Sequence, residues 1–459
     1  MELREYQLRA IKAWTCAGYC GIWSMATGTG KTITALHAIS DRVGNNNGSV
    51  LIIVPSQDLV DQWNKVIFDQ NLPAIIVRCY SENAKWKKEF SRAIVQKHLP
   101  TSERRPLYLI ATASTVISDD FVRLLSAIPS DQLLVVGDEV HRLGAKSWKK
   151  VFFIKAGLGH LGLSATPLRQ WDEIGTEAIH NYFGKIIFNY GLQEAMNDGW
   201  LSPYDYNLKL VGLEPEERAE YREITSKITS LAISLSRNYD MQTLDLQELL
   251  RLTRLDGNQQ LELLLYARAD VIKGAIGKLR IMQQLAEDQN ISSCMVYCND
   301  EQQVEKVLEI LKQQNRTAIG FTSSRLSGFD RPDIIDNFKS GLFDFIVAIR
   351  CLDEGIDIPD VRMAIILASS KTEREWIQRR GRLLRLAIGK DKAIIYDCIV
   401  IPSRIDDEDN IIETISPIEV SIIQSELSRA REFARSALNS NEAIIQIEQI
   451  RQEVLKSIY

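Results

Sequence analysis

A chain of 459 residues is long enough for two or three domains, each able to bury its own core. With 45% hydrophobic and 25% charged residues it has the composition of an ordinary globular protein, which excludes collagen-like, disulfide-dense and disordered classes. The formal net charge of -5 argues against coating nucleic acid by bulk charge, so a polyanionic partner has to be held in a local groove.

The opening MELREYQLRA is charged and helix-prone, without the basic-then-apolar pattern of a secretory signal. The longest apolar runs, VLIIV from 50 and AIIL from 364, are of strand length and far short of a membrane span, so a cytoplasmic, membrane-free protein is expected. Apolar strand-like runs at 21–25, 50–54, 75–79, 107–111, 133–136 and 158–164 alternate with helix-patterned segments. A second series follows at 294–297, 317–321, 345–349, 363–367 and 393–396. Alternation of this kind predicts two tandem α/β domains built on parallel sheets. Between them the β signal vanishes, and EPEERAEYREI at 214–224 sets acids where a helix N-terminus favours them. The expected division is an α/β domain at 1–213, a helical linker or arm at 214–289, a second α/β domain at 290–402 and a helical C-terminal extension at 403–459. The seven cysteines form no CxxC pairs, and Cys294 and Cys298 lie in the apolar run CMVYC, so buried reduced thiols are expected rather than a metal site.

The strongest chemical signal is MATGTGKT at 25–32, between the run GIWSM and the helical pattern TITALHAIS. In such a turn the backbone N–H groups of Ala26, Thr27, Gly28, Thr29 and Gly30 can surround phosphate oxygens while the helix N-terminus adds positive potential. Lys31 can reach the β and γ phosphates of ATP, and Thr32 can ligate Mg²⁺. Met25 stands where the general pattern has glycine. Further on, LLVVGDEVHRLGA reads as an apolar strand ending in adjacent acids. Asp138 can hold the Mg²⁺ shell there, and Glu139 can position and deprotonate an attacking water. In WIQRRGRLLR at 376–385, Gln378, Arg382 and Arg385 fall at i, i+4 and i+7, on one face if a helix continues through Gly381. Trp376, Ile377, Leu383 and Leu384 are core candidates, and Arg379 and Arg380 read as solvated or structural.

The order of ATGTGKT, DEVH at 138–141, SATP at 164–167, EGIDIP at 354–359 and QRRGRLLR at 378–385 resembles superfamily 2 helicases of the DEAD/DEAH-box type. Within them it is most similar to the XPB-like and type III restriction-like DNA translocase branch, over about residues 1–400. The resemblance implies two RecA-like domains, with Gln7 of REYQ contacting adenine beside Arg4. It implies nucleic-acid backbone contacts at Pro55 and Ser56 of VPSQDLVDQW and at Thr112, Ser114 and Thr115 of TAST. Ser164 and Thr166 of SATP, with His141, would couple nucleotide state to nucleic acid. Gly355 and Asp357 would lie at the γ-phosphate and ribose, with Gln378 orienting water and Arg382 and Arg385 neutralising transferred charge. Two departures stand out. Ile349 occupies the place of a phosphate-contacting Thr or Ser, so that Arg350 or Thr322 of TSSR would substitute, and Gly137 replaces an aliphatic strand residue.

What the resemblance implies about function is an ATP- and Mg²⁺-dependent motor on nucleic acid, DNA favoured over RNA, serving repair, restriction or antiviral defence. An RNA helicase and an ATP-controlled clamp without translocation are the alternatives. No nuclease motif is found in the sequence. Cleavage would fall to a partner such as a nuclease subunit, with the C-terminal helices as its docking surface or as a cap on the second domain.

Overall fold

The computed structural model describes residues 3–45, 48–98, 105–168, 172–239, 246–255, 257–322, 331–349, 361–368, 380–403, 405, 411 and 417–457. Every apolar run picked out above forms a strand, and two further strands join them. The first sheet contains β1 (Cys20–Met25), β2 (Ser49–Val54), β3 (Ile75–Cys79), β4 (Leu107–Thr112), β5 (Leu133–Asp138), β6 (Gly159–Ser164) and β7 (Ile186–Tyr190). Its order is β3-β4-β2-β5-β6-β1-β7, and every pairing is parallel. All positions of β2, β4 and β5 are buried, as expected for strands covered by helices on both faces.

The departure at Gly137 has a packing cause. Gly137 pairs with Gly162 on β6, and the two leave a slot for neighbouring side chains. A Cβ on Gly137 would meet Phe183 at 2.6 Å and Val140 at 2.8 Å, and one on Gly162 would meet Ile22 at 2.9 Å and Val140 at 3.1 Å. Fully buried Phe183, from the helix Glu173–Phe183, thus takes the space an aliphatic residue would fill.

The second sheet contains β8 (Tyr204–Gly212), β9 (Cys294–Tyr297), β10 (Ala318–Phe321), β11 (Phe345–Ala348), β12 (Met363–Ile366) and β13 (Ala393–Ile401), ordered β10-β11-β9-β12-β13-β8 and again parallel. Here the expected boundary at 213 needs correcting. Strand β8 pairs with β13 from Tyr204 to Gly212, so the second unit begins at Pro203. The sequence YDYNLKLVG alternates apolar and polar residues, and its burial alternates with it, the pattern of a half-covered strand. The first unit runs to Ser202 and takes in the stretch ending at Leu386.

The segment expected as a helical arm divides in two. The helices Pro215–Asn238, Leu246–Leu255 and Gln260–Gly274 enclose a small core of Ile228, Ala232, Leu235, Leu249 and Leu261. The helix Gly277–Glu287 instead packs Met282, Leu285 and Ala286 into the core of the second sheet. At the start of this segment the Glu214 N–H donates to Glu217 Oε2 at 3.0 Å, and Ile276 N–H donates to Glu217 Oε1 at 2.8 Å, so one acid ties both ends of the insertion. The C-terminal helices Pro417–Arg435 and Ser440–Lys456 lie against β8, an edge strand. There Asn439 Oδ1 accepts from Tyr206 N–H at 2.9 Å and its Nδ2 donates to Tyr206 O at 3.0 Å. Strand β8 therefore keeps less of an open edge. Cys294, Cys298 and Cys398 are buried in the same unit, where burial pushes each thiol up, with Cys398 at about 12.

Candidate functional site

Strands β1, β6 and β5 are neighbours, so the ends of all three open on one edge of the first sheet. The glycine-rich turn follows β1 and leads into the helix Lys31–Asn45. Gly28 and Gly30 adopt φ of 88° and 79°, the left-handed region that glycine enters without strain. Close approach adds a second constraint. A Cβ on Gly30 would sit 2.9 Å from Gln7 Nε2, and one on Gly28 would sit 3.1 Å from the Gly381 carbonyl oxygen. Within the turn Thr29 Oγ1 donates to Ala26 O at 2.7 Å, and Lys31 Nζ folds back to donate to Met25 O at 3.1 Å. Fully buried Met25 thus supplies a carbonyl, a task that needs no glycine. Ala26 is buried and Thr27 and Thr32 are half-buried, and Thr27 Oγ1 is a buried hydroxyl with no hydrogen-bond partner.

Buried Tyr6 donates its hydroxyl to Thr29 O at 2.5 Å. Its ring stacks on Tyr190 at 4.1 Å between centroids, and Arg4 lies 3.6 Å over the Trp200 ring while its Nη1 donates to Tyr6 Oη at 3.2 Å. Gln7 Oε1 accepts from Arg4 N–H at 2.9 Å, closing the first turn of the helix Glu5–Cys16. Arg4 and Gln7 are therefore together beside the turn. Tyr6, Tyr190 and Trp200 were not singled out in the sequence. The only signal for Tyr6 is its place between the two residues that were.

At the end of β5, Asp138 is buried and both of its oxygens accept hydrogen bonds: Oδ2 from Trp63 Nε1 at 2.8 Å and Oδ1 from Glu139 N–H at 3.0 Å. Trp63 is fully buried on the helix Gln57–Asp69, in line with Val60 and Ile67 at helical spacing. Glu139 leaves the strand at φ 47° and ψ 51°, a left-handed turn that costs a non-glycine residue about 1 kcal/mol or more. Its Oε2 is buried and takes no hydrogen bond. Burial raises both carboxyls above the usual range, and Lys31 is the strongest opposing influence on each. Asp138 raises Glu139 further, whereas Arg382 and Arg142 lower it. His141 Nδ1 lies 2.9 Å from Ser164 Oγ and 3.5 Å from Glu139 Oε2, and Ser164 Oγ accepts from Thr166 N–H at 3.1 Å. Ser164 ends β6, and its hydroxyl thereby joins the strand end to the residue two beyond the acid pair.

Residues 380–383 are helical and include Gly381, but Arg385 lies past the last helical residue, so Arg382 and Arg385 do not share a helix face. A Cβ on Gly381 would meet Thr27 Cβ at 2.5 Å and Thr27 O at 3.0 Å, so glycine here lets this backbone lie directly on the glycine-rich turn. Ser202 N–H donates to Leu384 O at 2.7 Å and fixes the segment from the other side. Arg382 acts electrostatically on Glu139, and burial pushes Arg385 down to about 10. Leu383 and Leu384 are buried as expected. Arg380 is also buried, at 7% exposure, which corrects the solvated half of its reading. Gln378, Gly355, Asp357 and Arg350 lie outside the described residues, as do Trp376, Ile377 and Arg379.

The residues expected to touch nucleic acid are distributed unevenly. Pro55 and Ser56 are half-buried just after β2, and Thr112 ends β4 beside them. Thr112 and Thr115 are buried with their hydroxyls 2.9 Å apart, and exposed Ser114 sits 3.2 Å from Thr112 Oγ1. In the second unit Thr322 is buried just after β10, and Ile349 packs against the core at the end of β11.

The chain matches the family model described as type III restriction enzyme, res subunit, over residues 1–169, and that described as helicase conserved C-terminal domain over residues 277–387. It is 26% identical over 402 residues to the DNA 3'-5' translocase XPB2 of Sulfurisphaera tokodaii, covering 87% of this chain and 82% of that protein. Putative helicase 22 of Sulfolobus islandicus filamentous virus is 25% identical over 407 residues, covering 87% of this chain and 64% of that protein. In fold the chain is similar to the helicase domain of Pyrococcus furiosus Hef, with a TM-score of 0.55, 19% identity, and coverage of 86% of this chain and 95% of that one.

Proposed function

This chain belongs to the superfamily 2 helicases, on the branch of the XPB-like and type III restriction-like motors, and from that premise we propose that it hydrolyses ATP to drive movement along DNA. The observation that carries the reading is the convergence of Lys31, Asp138, Glu139 and Arg382 beside the turn in which Gly28 and Gly30 take left-handed φ and on which Gly381 rests. Phosphate is held by the turn's N–H groups and by Lys31, which exchanges its bond to Met25 O for a phosphate oxygen. Glu139 orients water and takes its proton, through an Oε2 that accepts no hydrogen bond and has His141 Nδ1 3.5 Å away. Arg382 and Arg385 neutralise the charge that moves to the leaving phosphate. Arg4 and Gln7 hold the adenine. Thr32 and Asp138 are the residues that would hold Mg²⁺, which when bound supplies charge neutralisation between the phosphates, and a buried carboxylate at a strand end suits that cation.

His141, Ser164 and Thr166 form a continuous chain from the acid pair to the end of β6, and so fit the coupling of hydrolysis to nucleic acid bound along Pro55, Ser56, Thr112, Ser114 and Thr115. Within the second unit, Thr322 is the residue assigned to nucleic acid. DNA is favoured over RNA because the XPB2 relative is named for DNA. Work in the cytoplasm is consistent with the finding that no described helix is long and apolar enough to cross a membrane. A restriction, repair or defence pathway with a nuclease subunit as partner fits the restriction-enzyme family model. The outward Leu438, Ile445 and Leu455 of the C-terminal region are the side chains left for such a partner.

The test is ATP turnover with duplex DNA, single-stranded DNA and RNA. Stimulation by DNA above RNA is expected, and Lys31→Ala should abolish it. Wild-type turnover in Lys31→Ala would sink the assignment.

A further inference from the structure

Trp63 closes the run VPSQDLVDQW at 54–63, of which the proposed function uses only Pro55 and Ser56. On the helix Gln57–Asp69, Val60, Trp63 and Ile67 recur at helical spacing and all three are fully buried. That spacing accounts for a large apolar side chain at 63, but not for where its indole N–H points. Trp63 Nε1 donates to Asp138 Oδ2 at 2.8 Å, across 75 residues of sequence. Two other buried tryptophans of the same unit show that packing makes no such demand. Trp14 Nε1 donates to a main-chain carbonyl, His160 O, at 3.0 Å, and Trp23 Nε1 is buried without a hydrogen-bond partner.

Asp138 is thereby held from two sides. Its Oδ1 accepts from Glu139 N–H at 3.0 Å, a local bond that fixes one oxygen only. Trp63 fixes the other, and a bond to each oxygen sets the plane of the carboxylate. An ionised carboxylate offers about four lone-pair sites, so about two remain for a cation. An indole N–H can only donate, and a ring with no exposed surface has no room to turn away from its acceptor.

We propose that Trp63 is a positioning residue for the cation site, its N–H fixing the Asp138 carboxylate in the orientation that receives Mg²⁺. The proposal rests on the ATP-hydrolysing reading of the same site and adds a residue to it. Trp63 acts through Asp138, as hydrogen-bond partners behind a metal ligand do, and these are worth about 10–100-fold in metal affinity.

The experiment is equilibrium binding of a fluorescent, non-hydrolysable ATP analogue by the full chain, titrated with Mg²⁺ and repeated in EDTA. Trp63→Phe keeps an aromatic ring in the core and removes the N–H. It should raise the Mg²⁺ concentration needed for metal-dependent binding by about 10–100-fold, while metal-free binding through the glycine-rich turn and Lys31 stays as in the wild type. In an Asp138→Asn background Trp63→Phe should not move the Mg²⁺ midpoint further, because the two residues act as one unit. Excess Mg²⁺ should restore turnover to Trp63→Phe, which it would not do for a disordered site. A wild-type Mg²⁺ midpoint in Trp63→Phe, or equal loss of metal-dependent and metal-free binding, overturns the positioning role and leaves the motor reading intact. No binding of the analogue by the wild-type chain, with or without Mg²⁺, overturns the motor reading itself. Should Trp63→Phe not fold, isotope-labelled indole N–H signals carry the test. The signal displaced by Asp138→Asn should also be displaced in the wild-type chain when Mg²⁺ joins the analogue, and no signal common to both overturns the proposal.

Discussion

Asp138 and Asp397 are both carboxylates buried in parallel sheets, one at the end of β5 and the other within β13, and burial raises both. They are compensated in opposite ways. Asp397 accepts from Tyr206 Oη at 2.8 Å and pairs with Arg429 at 3.3 Å, and Arg429 also pairs with Glu426 at 2.9 Å. Burial lowers Arg429, but Asp397 and Glu426 outweigh it and hold the guanidinium above its usual range. Asp138 stands next to a second acid, and the cation that most opposes both charges, Lys31, spends its hydrogen bond on a carbonyl. A carboxylate with its own fixed cation stabilises an architecture. A pair whose cation is hydrogen-bonded elsewhere is set up to meet a charged ligand.

This contrast predicts that activity and stability separate between the two regions. Glu139→Gln should cut turnover by about 10² to 10⁴, the usual worth of a general base, without lowering the melting temperature. A melting temperature that falls with activity would make Glu139 structural. Asp397→Ala should do the reverse. It removes a buried carboxylate partner of Arg429 and the acceptor of the Tyr206 hydroxyl, and should cost about 3–5 kcal/mol, read as a lower thermal midpoint, while turnover per folded molecule is retained. Gly137→Val should be intermediate, since its side chain would overlap Phe183 and Val140, at about 1–3 kcal/mol by thermal or denaturant unfolding. An unchanged midpoint would mean that the slot between Gly137 and Gly162 is slack. The smallest effect concerns pH. Glu139 must be ionised to accept a proton and its carboxyl is raised, so turnover should fall on acidification at a pH above the ordinary glutamate value of about 4.3. A pH profile still flat at that value, with the fold intact by circular dichroism, would contradict the proposed role.

Much of the fold was legible in the sequence, because parallel strands covered on both faces appear as uninterrupted apolar runs such as VLIIV and LLVVG. Strands β7 and β8 were not, for the same reason in reverse. IIFNY and YDYNLKLVG lie at sheet edges and mix polar with apolar residues, so neither forms a continuous run. Missing β8 displaced the domain boundary. The turn at 25–32 and the acid pair could be read as a site because their chemistry depends on residue type at fixed local spacing.

By itself, then, the sequence determined two α/β units, a glycine-rich turn after the first strand and an acid pair at a strand end, since strand periodicity and glycine turns are properties of short stretches of chain. Only the tertiary structure decided that Trp63 orients Asp138, that Tyr6 braces Thr29, that Gly381 rests on Thr27 and that Phe153 faces solvent while Phe152 does not. Those facts depend on which side chains, distant along the chain or adjacent on it, share a face once the sheet has formed. No local pattern carries that information.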